Sequence, residues 1–187
     1  MTQTILYFVR HAESFYAEGR ERERGLSEQG TRDAQAAAEL LRPERIDAFV
    51  SSPYERAVAT IRPAAEEQGR EIRLEEDLRE RKIGDFAPYS FADAKRRALE
   101  EPAFSFPGGE SGEAAQARAM AVVRRIVKEY AGRKIALGTH GDIMTLMLNG
   151  FDSRFGYEFW TSTTMPDIYR MTLDGEKAVE VRRLWTT

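Results

Sequence analysis

Cysteine is the most informative absence in this sequence, because none of its 187 residues is a cysteine. Disulfide bonds, zinc–thiolate sites and cysteine nucleophiles are therefore excluded. Long apolar runs are also missing, since no stretch approaches the ~18 residues that a membrane-spanning helix requires. No amino-terminal segment has the pattern of a signal peptide. From these absences we expect a cytoplasmic protein that does not bind a membrane.

An excess of positive charge is absent as well. The net charge is -3, with 32% charged and 42% hydrophobic residues, a composition typical of a globular protein. This balance argues against a general nucleic-acid binder, so any basic site has to be local. The length suits one domain of ordinary size, and we find no repeat or internal boundary. We therefore expect a single domain over residues 1–187, of unknown oligomeric state.

Histidine is scarce, and both histidines follow an apolar run. Residues 5–9 precede Arg10-His11, and residues 134–139 precede His140. Short apolar runs of this kind are typical of strands that are buried on both faces of a parallel sheet. Such sheets bind ligands at the carboxyl ends of their strands. The pattern predicts an α/β fold in which both imidazoles lie at one edge of the sheet.

A second anion-binding feature follows the predicted strand at residues 46–50. Ser52 is a candidate N-cap, Pro53 suits a first helical position, and Glu55 completes a capping box. Arg56 would then lie in the first turn, and a guanidinium beside a helix amino terminus favours anion binding. The alternative is an ordinary surface ion pair between Arg56 and a carboxylate such as Glu55.

Three other segments have less specific patterns. The alternating charges at residues 18–25 indicate either a solvated loop or an arginine that leans over the site, and the sequence leaves both open. Ser27 and Ser111 are predicted N-caps, and the helix after His140 would direct the amides near Gly141 and Asp142 towards a phosphate. Strand-like runs are predicted at 157–164, 168–173 and 178–184, with Asp174-Gly175 as a hairpin turn between the last two.

Five short motifs, in this order, resemble those of the histidine phosphatase superfamily, which includes the phosphoglycerate mutases. They are Arg10-His11-Ala12-Glu13-Ser14, residues 51–57 (SSPYERA), Leu78-Arg79-Glu80 with Gly84, residues 106–111 (FPGGES), and Thr139-His140-Gly141. The resemblance implies a three-layer α/β/α sandwich with a mostly parallel central sheet. It also implies a small cap-like region at about residues 86–106, where Tyr89, Phe91, Phe104 and Phe106 are candidates either to line the site or simply to pack.

The resemblance also implies the chemistry. His11 would attack phosphorus and form a phosphohistidine, while Arg10, Arg56 and His140 hold the phosphoryl oxygens. Glu80 would act as general acid and base. Composition alone does not single out Glu80, so Asp77, Asp85 and Glu110 are weaker candidates for that role. Gly141 and Ser14 are further candidates for substrate binding.

The function that this resemblance favours is a metal-independent phosphomonoester hydrolase of the histidine acid type. It would act on a small phosphorylated metabolite and need no cofactor. One alternative is a phosphoglycerate mutase, although Glu80 and Pro107 are only 27 positions apart, which leaves little room for the usual insertion. The other is a non-catalytic phosphate-binding module. That alternative is motivated by Ala12, which replaces the usual glycine, and by Ala17, which replaces an asparagine that helps to bind phosphate.

Overall fold

The computed structural model describes residues 2–186 and consists of one mixed sheet with helices on both faces. The strands are β1 (Thr4–Arg10), β2 (Ala48–Ser51), β3 (Ile72–Leu74), β4 (Lys134–Thr139), β5 (Asp167–Asp174) and β6 (Lys177–Arg183). The helices are α1 (Glu28–Leu41), α2 (Glu55–Glu67), α3 (Phe91–Glu100), α4 (Gly112–Glu129), α5 (Gly141–Phe151) and α6 (Tyr157–Ser162).

The strand order β3-β2-β4-β1-β5-β6 brings the two histidine-bearing strands side by side. The strands β3, β2, β4 and β1 pair in parallel, whereas β5 and β6 pair antiparallel at the other end of the sheet. Arg10 at the end of β1 is in register with Thr139 at the end of β4. His11 and His140 therefore leave the sheet at the same edge, and the predicted mostly parallel α/β fold is confirmed.

Alternating side chains of β1 divide the interior into two layers. Leu6 and Phe8 pack with the apolar faces of α4 and α5, whereas Tyr7 and Val9 pack with α1 and α2 on the opposite face. All four side chains are fully buried. Each such burial contributes about 1.5–3 kcal/mol, so the strand that carries His11 is held firmly from both faces. The layers are those of the predicted three-layer sandwich.

The helix starts agree with the predictions at two of three positions. Ser27 and Ser111 accept hydrogen bonds from the amides of Gly30 and Ala114, as N-caps do. Ser52 is not an N-cap, and that prediction was wrong together with the places given to Pro53 and Glu55: α2 begins only at Glu55, and its N-cap position is taken by Tyr54. The Ser52 hydroxyl accepts from the amide of Tyr54, before the helix, at 3.3 Å. The Ser52 hydroxyl can therefore also contact a second partner at the edge of the sheet.

The carboxyl-terminal segment differs from the prediction in one element. The run at residues 157–164 was predicted as a strand, but it forms the short helix α6. Its aromatic residues favour strands by propensity. In the helix, however, Phe159 packs against Phe155, which precedes α6, at 4.9 Å and against Tyr169 of β5 at 5.0 Å between ring centroids. The β5–β6 hairpin is confirmed, with Gly175 at a φ of 60° in the turn.

The segment at residues 86–106 contains α3 and is tied to the rest of the chain by a buried arginine. Arg81 donates from Nη1 to the carbonyl of Ala98 at 2.7 Å and from Nε to the carbonyl of Glu110 at 2.9 Å. Phe106 is buried within a cluster of aromatic rings, whereas Phe91 is 55% exposed. No helix within residues 2–186 combines the length and the apolarity needed to cross a membrane.

Candidate active site

The carboxyl edge of the sheet brings together five side chains from four parts of the chain. His11 follows β1 and His140 follows β4, and their ring centroids lie 5.3 Å apart in an edge-to-face arrangement. Arg56, in the first turn of α2, places its Nε 3.3 Å from His11 Nε2. The remaining two, Arg10 at the end of β1 and Glu80 in the loop after β3, complete the group.

The tautomer of His11 is fixed by a backbone contact. His11 Nδ1 lies 2.8 Å from the carbonyl oxygen of Ala12. Because a carbonyl oxygen can only accept, Nδ1 carries the proton and Nε2 keeps its lone pair. Burial, together with the nearby Arg56, Arg10 and Arg24 guanidiniums, lowers the pKa of His11 to about 3. The ring is therefore neutral near pH ~7, and its unprotonated Nε2 accepts the hydrogen bond from Arg56 Nε.

His140 is held by the serine that was expected to cap α2. Its Nε2 lies 2.7 Å from the Ser52 hydroxyl, and its ring packs edge-to-face against Tyr54 at 5.2 Å. Among the described residues, no group pairs with its buried Nδ1. Complete burial, and then the surrounding positive groups, hold the pKa of His140 well below its usual value. Ser52 thus orients a histidine at the site instead of starting a helix.

Gly141 makes room for the Arg10 side chain. A Cβ atom at position 141 would lie 2.9 Å from Arg10 Cζ, closer than real Cβ atoms come to other groups. Arg10 Nη1 donates to the hydroxyl of Thr163 at 2.6 Å, and its buried Nε has no partner within residues 2–186. An unpaired guanidinium N–H beside two histidines is well suited to an anionic oxygen.

The charged loop at residues 18–25, whose role the sequence left open, also reaches the site. Arg56 donates from Nη1 to the backbone carbonyl of Glu21 at 2.6 Å, and its Nη2 lies 3.2 Å from the Glu21 carboxylate. Arg24 donates from Nη1 to the Ser14 hydroxyl at 3.0 Å. Its side chain is only 16% exposed, and its Nε is unpaired in the described part of the chain.

Arg24 is therefore a third guanidinium at the site, and sequence reasoning did not single it out. Its positive charge lowers the pKa values of His11, His140 and Arg56, which it adjoins. Alternating arginines and glutamates in residues 20–24 look alike in sequence, so nothing local distinguished Arg24. We call Arg10, Arg24, Arg56, His11 and His140 the cationic site.

Glu80 lies at one side of the cationic site and binds the start of α5. Its Oε1 accepts hydrogen bonds from the amides of Arg81 at 2.8 Å and Ile143 at 2.9 Å, and its Oε2 accepts from the amide of Asp142 at 3.1 Å. The amides of α5 that were expected to face a phosphate thus bind this carboxylate. Burial, and then the Asp142 carboxylate, raise the pKa of Glu80 above its ordinary value.

The weaker acidic candidates are engaged elsewhere. Asp77 pairs with Arg79 at the surface, with 3.1 Å between Oδ1 and Nη1. Glu110 accepts two hydrogen bonds of 2.8 Å from Arg118. The Asp85 carboxylate accepts from the amide of Ala87 in its own turn. Across residues 2–186, no three or more His, Asp or Glu side chains are grouped to hold a metal ion.

Comparison with known proteins connects this arrangement to a family. The sequence matches the family model of the histidine phosphatase superfamily (branch 1) over residues 6–183, which includes all six strands except the first two residues of β1. It is 31% identical over 159 residues to a bifunctional protein of Mycobacterium tuberculosis, a match that covers 79% of this chain and 44% of the relative. The chain thus spans less than half the length of that relative.

Solved structures show the same fold. A mycobacterial glucosyl-3-phosphoglycerate phosphatase superposes with a TM-score of 0.76 at 23% identity, covering 97% of each chain. The protein YhfR of Bacillus stearothermophilus superposes with a TM-score of 0.78 at 22% identity, covering 94% of each chain. The chain belongs to the histidine phosphatase superfamily, branch 1.

Proposed function

We propose that this protein is a metal-independent phosphomonoester hydrolase that works through a phosphohistidine on His11. The observation that carries the proposal is the contact between His11 Nδ1 and the Ala12 carbonyl. That contact leaves Nε2 unprotonated in a neutral ring that is surrounded by cations, and its lone pair accepts a hydrogen bond of 3.3 Å from Arg56 Nε, which an incoming phosphoryl group would replace. A neutral imidazole beside guanidiniums is suited to attack phosphorus, because the cations neutralise the charge of the phosphoryl oxygens.

In the first step, His11 Nε2 attacks phosphorus while the bond between phosphorus and the leaving oxygen breaks. The Nε2 atom lies 3.3 Å from Arg56 Nε, so a phosphoryl group on that nitrogen would adjoin the Arg56 guanidinium. Arg10, Arg24 and His140 supply further donors to the phosphoryl oxygens. Glu80 in its protonated form gives its proton to the leaving alkoxide, and the upward shift of its pKa makes that form more accessible than for an ordinary glutamate.

In the second step, a water molecule replaces the histidine. The Glu80 carboxylate takes a proton from the water as its oxygen attacks phosphorus, and the Nε2–phosphorus bond breaks. Inorganic phosphate leaves, while His11 regains its lone pair and Glu80 its proton. The balance is that of ester hydrolysis, and no metal or redox group takes part in it.

The Glu21 carboxylate supports the assignment of the phosphate position. It lies 3.2 Å from Arg56 Nη2 and 3.4 Å from Arg24 Nη2, so an anionic group already bridges two of the guanidiniums. A phosphoryl group carries more negative charge and more acceptor oxygens than a carboxylate, and it would displace Glu21. A small phosphorylated metabolite could replace the Glu21 carboxylate in this way. The mycobacterial phosphatase described above is named for a substrate of that class.

Phosphate release from a panel of phosphomonoesters, measured with a chelator present, tests the proposal. Wild-type protein, a His11→Ala variant and an Arg32→Ala control on the exposed face of α1 would be compared. We expect turnover that survives chelation, persists in Arg32→Ala and vanishes in His11→Ala. A phosphoryl group trapped on the protein should be labile in acid and stable in alkali, as phosphoramidates are. Turnover by His11→Ala would refute the mechanism.

The same panel separates the two alternatives. Interconversion of 2- and 3-phosphoglycerate without net phosphate release would favour a mutase. Saturable binding of inorganic phosphate with no turnover of any ester would favour a non-catalytic binding module.

A further inference from the structure

A buried ion pair adjoins Glu80 and takes no part in the steps above. Lys95 Nζ, from α3, lies 2.6 Å from Asp142 Oδ2 in the first turn of α5. The two side chains are only 9% and 1% exposed. The Phe91 and Trp160 rings lie 5.4 and 5.7 Å from Lys95 Nζ and help to keep water away from the pair.

A buried ion pair is weak evidence for stability. Removing two charges from water costs several kcal/mol per ion, and a well-packed apolar pair often stabilises a fold as well or better. The position of this pair therefore needs another reason. That position is notable because Asp142 contributes both a backbone amide to Glu80 and a carboxylate close to it.

The two members of the pair act on Glu80 in opposite directions. The negative charge of Asp142 raises the pKa of Glu80, and the positive charge of Lys95 lowers it. Three other cations interact electrostatically with Glu80: Arg10 from β1, Arg56 from α2, and the neighbouring Arg81. Asp142 is the strongest acidic neighbour of Glu80, and Lys95 is the group that directly compensates it.

We propose that Lys95 and Asp142 are positioning residues for Glu80: their ion pair holds the first turn of α5 against the Glu80 carboxylate and balances the charge beside it. The inference rests on the proposed function, in which Glu80 alternates between proton donor and proton acceptor. An unbalanced positive charge would keep Glu80 ionised and impair protonation of the leaving group. An unbalanced negative charge would keep it protonated and impair activation of water.

Three substitutions separate this role from simple packing. Lys95→Met keeps the length of the side chain and removes the positive charge. Asp142→Asn keeps the shape and the backbone amide and removes the negative charge, and the double variant removes both. Arg96→Met serves as the matched control, because Arg96 is an exposed arginine on the same helix, 57% accessible at its side chain.

The readout is the titration of the Glu80 carboxyl carbon by NMR of protein labelled at glutamate side chains. The resonance is assigned by its loss in Glu80→Gln. In parallel, the pH profile of kcat is measured with glycerol 3-phosphate, whose alkoxide leaving group needs a general acid. The NMR titration does not depend on turnover, so failure of the proposed function and failure of this inference can be distinguished.

We expect Lys95→Met to raise the apparent pKa of Glu80 by about one unit or more. Asp142→Asn should lower it by a similar amount. Both shifts have the size that follows from losing a charge within a few ångströms. The double variant should return to within a few tenths of the wild-type value, and Arg96→Met should not change it. Shifts in the same direction, no shift, or a double variant that fails to cancel would overturn the inference. Should Lys95→Met not fold, the inference is still tested by the fall in the Glu80 pKa in Asp142→Asn and by its return towards the wild-type value in the double variant.

Discussion

The pKa of His11 links the proposed nucleophile to the stability of the whole fold. In the unfolded chain a histidine binds a proton at about pH 6.5. In the folded protein His11 does so only at about pH 3, because it is buried beside three arginines. At pH values between these two pKa values, His11 carries a proton in the unfolded state but not in the native state. Stability therefore falls as the pH drops below ~6.5, and the loss levels off below ~3.

The size of the effect follows from the two pKa values. Between about pH 7 and about pH 5, the uptake of this proton by the unfolded chain costs about 2 kcal/mol of the free energy of unfolding. That is a large share of the ~5–15 kcal/mol by which a typical domain is stable. Replacing His11 by asparagine removes the titrating group. The variant should therefore lose about 2 kcal/mol less than the wild type over the same interval, whatever its stability at pH ~7.

Urea unfolding of both proteins at the two pH values measures this difference. The comparison uses the change with pH within each protein, so the cavity left by the smaller side chain cancels. His140 stays buried in both proteins, and because burial is the largest cause of its low pKa, its contribution should change little between them. Equal pH-dependent losses in the wild type and the His11→Asn variant would refute the reasoning and imply that the native ring is protonated near pH ~5.

Three further predictions concern the anion-binding part of the site. Gly141→Ala places a Cβ atom 2.9 Å from Arg10 Cζ, so the Arg10 guanidinium must move. We expect KM for a phosphate ester to rise about tenfold or more while the thermal midpoint changes little. An unchanged KM would contradict this. Glu21→Gln removes a half-exposed carboxylate that pairs with Arg56. The inhibition constant of inorganic phosphate, measured as a competitor of ester hydrolysis, should therefore fall about two- to fivefold. Arg24→Met should weaken the same inhibition by about tenfold or more, since a charged hydrogen bond to phosphate is lost; equal inhibition would place Arg24 outside the phosphate position.

The parts of the fold that could be predicted are those that depend on local pattern. The apolar runs before His11 and His140 predicted two buried parallel strands, and the register of Arg10 with Thr139 brings both histidines to one edge. Side-chain alternation in a strand depends only on neighbouring residues, and so do the N-caps at Ser27 and Ser111. These elements follow from a few adjacent residues, whichever tertiary contacts form later.

The parts that could not be predicted depend on contacts between distant segments. Nothing near Glu80 distinguishes it from its acidic neighbours, and its defining contact is with amides more than 60 positions away, at Asp142 and Ile143. Ser52 has the residue type of an N-cap, but its hydroxyl binds His140 instead. The aromatic run that forms α6 follows its packing against β5 and not its strand propensity. In each case the tertiary partner, which the local sequence does not contain, decides the outcome.

The charged loop also contains Ala17, at a position where the resemblance leads one to expect an asparagine that binds phosphate. Arg24, from the same loop, is held by Ser14 and keeps a buried, unpaired Nε at the site. We infer that this guanidinium replaces the missing amide donor. An arginine differs from an asparagine in carrying charge, so the exchange would strengthen phosphate binding and also help to keep His11 unprotonated, because Arg24 lowers its pKa. The residue that helps to bind the phosphoryl group would thus also keep the nucleophile neutral.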